Sequence, residues 1–212
     1  MEDSAGLSRD DLDRLFTELE AVLAQRNIRA QIQLFGGAAI ILAYHADRLT
    51  DDVAAVFAPR DAVLDAASTV AQASYWQSRG LSDGWLNDDV SRYLPFTWLE
   101  LAPDTNARFL EVSIAEPEQL LAMKLLASRS SDKDDIALLV QHLGLTSTDD
   151  CMAIMDRYYP KALLMVRQRA RLLVDSLFRA PMRENSSPRP DSCAGENAVK
   201  TAPRPETVAG GT

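Results

Sequence analysis

Between residues 28 and 37 the chain passes from strict alternation into two glycines. Ile28, Ala30, Ile32 and Leu34 alternate with Arg29, Gln31 and Gln33, the two-residue period of a strand with one buried face. Gly36 and Gly37 end that period, and the alanines and aliphatics of residues 38–44 suit a short buried helix. Glycines between a strand and a helix let the backbone come close to a ligand, and the helix N-terminus offers unpaired N–H groups to a phosphate. A plain tight turn uses the same residues. The double glycine therefore needs company before it means chemistry.

The flanking segments predict an α+β chain. Leu12, Leu15, Phe16, Leu19, Val22 and Leu23 recur at helical spacing, and Ser8, Asp10 and Asp11 supply a cap and negative charge for the N-terminus of that helix. Residues 47–52 are polar enough for a loop, 53–57 read as a second strand, and Pro59 stops it. One Ala-rich helix is expected over 61–78, and then Gly80, Gly84 and Pro95 punctuate a less regular region. Segments 96–101 and 108–114 suit a hairpin or adjacent strands. Pro117 sits where a helix can begin, and further helices are expected over 132–143, 146–159 and 161–178. Three parts follow: 1–145 as the main domain, 146–180 as C-terminal helices packed on it, and 181–212 as a disordered tail. The tail is expected because its Pro, Ser, Gly and charged residues cannot bury enough surface to offset ordering.

A formal charge of -9 argues against a broad, nonspecific hold on nucleic acid while leaving room for a local basic pocket. Cys151 and Cys193 lack the neighbours of a zinc site and read as free thiols. The acidic N-terminus lacks a signal-peptide pattern, and the longest apolar run, residues 38–44, is far shorter than the ~20 residues of a membrane span. The expectation is a cytoplasmic protein with no membrane association.

Arg48, Thr50, Asp51 and Asp52 lead into the second strand roughly 15 residues after the glycines, near enough to fold back beside them. Carboxylates at a strand edge can hold Mg²⁺ whose other positions are filled by water and phosphates. Lys124 is a lone charge in an apolar helical run. One reading is a lysine that snorkels from the helix edge. Asp132, Asp134 and Asp135 stand in the first turn of the next helix, where the dipole favours acids with or without a ligand. Glu111 is a further carboxylate from a neighbouring strand, or one side of a solvated strand face. Trp85, Asn87 and Asp88 read as structural, and His45 and His142 as helix-surface residues.

The run Phe35-Gly36-Gly37-Ala38-Ala39, followed by Arg48-Leu49-Thr50-Asp51-Asp52-Val53-Ala54-Ala55-Val56-Phe57, resembles the glycine and Asp-x-Asp signature of the minimal nucleotidyltransferase superfamily. The closer likeness is to small bacterial proteins of the DUF6036 type, related to AbiEii-like toxins. Gly84-Trp85-Leu86-Asn87-Asp88 and the segment from Glu118 through Lys124 to Arg129, Asp132 and Asp135 agree with it, so the resemblance spans about residues 35–145. It implies a mixed β-sheet with flanking helices and a helical C-terminal part. It also implies Mg²⁺-dependent transfer of a nucleotide from a nucleoside triphosphate to RNA or protein, within a toxin–antitoxin pair or with another protein partner.

By the same resemblance Gly36, Gly37, Arg48 and Thr50 bind the nucleotide and Lys124 faces its phosphates. Asp52, Asp51 and Glu111 are the metal candidates, and Asp132, then Asp135, acts near the reacting atoms. The second carboxylate of the signature falls at Ala54, and a methyl group cannot ligate a metal. Asp51 replaces it only if the chain there is still a loop, since neighbours on a strand face opposite ways. Ala54 thus leaves two readings open: a transferase, or a catalytically impaired relative that binds nucleotide or a protein partner on the same fold.

Overall fold

The computed structural model describes residues 6–44, 47–94 and 108–179. Helix α1 (Arg9–Gln25) opens on a capping box, with Ser8 Oγ accepting from Asp11 N–H and the Asp11 carboxylate accepting from Ser8 N–H. It leads to β1 (Ala30–Leu34), the glycine turn, and α2 (Gly36–Tyr44). Arg9 of α1 reaches across to donate to the carbonyls of Ile41 and Leu42, satisfying the end of α2. Strand β2 (Val53–Ala58) then returns antiparallel to β1, with Leu34 opposite Ala55.

The single helix expected over 61–78 is two: α3 (Arg60–Ala71) and α4 (Ser74–Ser78), separated by an extended Ala73. The break turns Trp76 into the core, where its ring is fully buried and its Nε1–H donates to Glu18 at 2.5 Å. A two-residue strand, β3 (Leu86–Asn87), pairs parallel with β2, and a 3₁₀ turn at Asp89–Tyr93 follows. Strand β4 (Leu110–Ile114) lies parallel to β1, which completes a mixed four-stranded sheet in the order β3-β2-β1-β4. The strand expected over 96–101 lies outside the described residues, as does residue His45.

Helices α5 (Pro117–Ala127), α6 (Lys133–His142), α7 (Thr148–Tyr158) and α8 (Leu164–Arg179) form the C-terminal part. Pro117 opens α5, Gly144 at φ +65° closes α6, and a Ser147–Asp150 capping box starts α7. One hydrophobic core runs from Leu12 and Ile32 through Leu121 and Ile136 to Met155 and Val174. The fold is thus α+β, a mixed sheet flanked by helices, with the C-terminal helices built into the same core. Among the described residues no helix is long and apolar enough to cross a membrane.

Candidate functional site

Gly36 takes φ +61°, the left-handed conformation in which a side chain is strained, and this bends the chain from β1 into α2. Gly37 answers a different constraint. A Cβ there would stand 2.6 Å from Thr50 Oγ1 and 3.1 Å from Thr50 Cβ, so only glycine allows the turn to sit against the approach to β2. Thr50 is itself held from both sides. Its backbone bridges Leu7 in both directions, and its hydroxyl donates to the Asp52 carbonyl at 3.0 Å.

Beyond that bridge β2 begins at Val53, so Asp51 is still in a loop. Both Asp51 and Asp52 are exposed and line the same cleft. Ala54 lines it too. Its carbonyl accepts from Phe35 N–H at 2.9 Å, and β3 pairs it with Asn87. That register brings the Asn87 amide to within 2.7 Å of Asp52 Oδ2 as a donor. A two-residue strand is too short to show a period, so the sequence marks Asn87 only as structural. Its neighbour Asp88 ties the strand down by a two-point pairing with Arg60 at 2.5 and 3.1 Å, and the guanidinium holds that carboxyl below its ordinary value.

The opposite wall comes from α5 and the turn that follows it. Ser128 ends α5 in the left-handed conformation, and a 3₁₀ turn at Ser130–Asp132 folds the chain back on itself. Asp132 thereby meets Lys124, eight residues earlier, with Oδ1 2.6 Å from Nζ. One helical turn further, Asp135 Oδ2 lies 2.7 Å from the same Nζ, a charge contact off the line of a good hydrogen bond. Asp135 Oδ1 accepts from Arg48 Nη1. Two cations and two carboxylates are therefore linked in the order Arg48, Asp135, Lys124, Asp132. All but Arg48 are largely out of solvent, with side chains 3–12% exposed.

The structure brings Gly36, Gly37, Arg48, Thr50, Asp51, Asp52, Lys124 and Asp132 to one cleft of about 690 Å³. Lys124 does not snorkel into water. Asp135 supports the cleft from behind and is not among its lining residues. Arg129, exposed on the rim, makes no ion pair among the described residues.

Glu111 is elsewhere. The parallel register sets it opposite Gln31, three residues back from the end of β1 and so roughly 10 Å from the turn. It accepts from the Gln31 amide at 2.8 Å and lines a separate depression with Phe16 and Arg108. Trp85 is buried, its Nε1–H donating to the Ala67 carbonyl. His142 packs its ring edge-to-face with Tyr44. Neither Trp85 nor His142 lines the cleft.

Among the described residues no group of three or more His, Cys, Asp or Glu side chains is arranged to hold a metal ion. The exposed pair Asp51 and Asp52 fits a Mg²⁺ that arrives with a nucleotide, because such an ion takes one or two carboxylates and fills its other positions with phosphate oxygens and water. A glycine turn between a strand and a helix, facing loop carboxylates and a lysine across a polar cleft, marks a nucleotidyltransferase-like protein. The chain belongs to DUF6036, the family described as nucleotidyltransferase of unknown function, which matches residues 10–159. No curated protein and no solved structure matches it.

Proposed function

We propose that this cleft binds a nucleoside triphosphate with its Mg²⁺ and serves transfer of the nucleotide to an RNA or protein acceptor. The observation that carries the reading is the meeting of the glycine turn, Asp51–Asp52 and Lys124 in one cleft, from segments far apart in the chain. Phosphates lie over Gly36 and Gly37, where the first N–H groups of α2 have no intrahelical acceptor. Lys124 and the rim residue Arg129 offset their charge. Asp52, oriented by the Asn87 amide, and Asp51 hold the ion that comes with the nucleotide. That ion supplies charge neutralisation to the phosphates.

Ala54 favours a second reading, binding without turnover. It stands on the cleft wall between the glycine turn and Asp52, where a carboxylate would make a third oxygen ligand group. Calorimetry with each nucleoside triphosphate and Mg²⁺, followed by radiolabel transfer to RNA and protein, separates the readings. The native chain is expected to bind, Lys124→Met to lose most of that binding, and Ala54→Asp to raise transfer by at least about tenfold. Transfer by Ala54→Asp with none by the native chain establishes the second reading. No binding heat with any nucleotide, for native and Ala54→Asp chains alike, overturns both.

A further inference from the structure

Lys124 is already paired before any ligand arrives. Its ammonium touches two carboxylates, and with Arg48 the four charges cancel. A phosphate entering the cleft therefore meets a neutral network and competes with the two carboxylates for the ammonium. The two partners are not equivalent. Asp135 is on the far side, 3% exposed, and shared with Arg48. Asp132 is on the cleft side and bonds Lys124 alone. It is carried by a short 3₁₀ turn after a left-handed serine, and that turn lines the cleft through Ser131 and Asp132.

We infer that Asp132 is an internal competitor for the phosphate: its carboxylate occupies the place on Lys124 that the ligand takes, so the free protein holds its cleft closed to weak anions. Asp135 is the positioning residue that keeps the ammonium aimed at the cleft when Asp132 leaves. This rests on the nucleotide reading above and deepens it. It also gives Asp132 a role opposite to that of an acid–base group, since removing its charge strengthens binding.

Binding of ATP with Mg²⁺, and of inorganic triphosphate, is measured for the native chain, Asp132→Asn and Asp132→Glu. Each variant is first checked for a cooperative melt. Asparagine keeps the shape and an acceptor for Lys124 but not the charge, so Asp132→Asn is expected to bind on the order of tenfold tighter. Asp132→Glu is expected to bind more weakly than Asp132→Asn. In the native chain, the NMR shift of the Asp132 carboxyl carbon moves on saturation as it parts from the ammonium, which tests the displacement even if Asp132→Asn fails to fold. Unchanged or weaker binding by a folded Asp132→Asn, or an unmoved carboxyl signal in a saturated native chain, overturns the inference and leaves the nucleotide reading standing. No binding by the native chain or by either variant overturns both.

Discussion

The two glycines of the turn do different work, and the difference can be measured. Gly36 answers a backbone requirement, a φ of +61°. Gly37 answers a packing requirement, the approach of Thr50. Gly37→Ala drives a methyl group into a buried threonine that is pinned by Leu7 on its other side, and overpacking of this kind costs about 1–3 kcal/mol. Thermal melts are expected to show that loss, and Thr50→Ala in the same chain to recover part of it by removing the oxygen at 2.6 Å. A wild-type melting temperature for Gly37→Ala would mean that the turn and Thr50 can separate freely. At this scale the sequence already pointed to the turn, to Asp52 and to Lys124. It did not show the clash at Gly37 or the amide of Asn87 beside Asp52, because each depends on a residue brought in from another element.

Among the elements, the C-terminal helices bear on the cleft through α5. Helix α7 packs along α5, the helix that carries Lys124, and Arg157 of α7 pairs with Glu118 of α5 at 2.5 Å. The start of α7 is fixed by the capping box, with Ser147 Oγ accepting from Asp150 N–H at 3.1 Å and the Asp150 carboxylate accepting from Ser147 N–H at 3.0 Å. Ser147→Ala is expected to cost about 1 kcal/mol, which for a chain of this size lowers Tm by roughly 2–4 °C. Differential scanning calorimetry checks it, and an unshifted transition would show that the cap contributes nothing measurable. Helices with clear start or stop signals were legible, as the capping box of α1, Pro117 of α5 and Gly144 after α6 show. The break between α3 and α4 was not. No glycine or proline marks Ala73, and the chain opens there because Trp76 is buried against α1.

Across the described residues as a whole, one continuous core joins the sheet and the C-terminal helices, and they are expected to unfold together. Cys151 lies at the base of α7 with no exposed surface, and burial pushes its thiol up to about 11. In a Cys193→Ser chain, a thiol reagent is therefore expected to modify Cys151 only as the whole core opens, with labelling that rises with urea along the same midpoint as the loss of circular dichroism. Rapid labelling in native buffer would show that the C-terminal helices open by themselves. The sequence alone determined the alternating strand, the glycine break, the capped helices and the list of polar residues near them, since periodicity, capping and backbone freedom are local properties of the chain. Only the tertiary structure decided which of those residues share a cleft. The antiparallel return of β2 set Ala54 beside the turn, and the parallel register of β4 carried Glu111 away from it. The fold-back after α5 then placed Asp132 and Asp135 on Lys124. Pairing of charges across a cleft depends on distances between elements, and no local pattern in the chain encodes them.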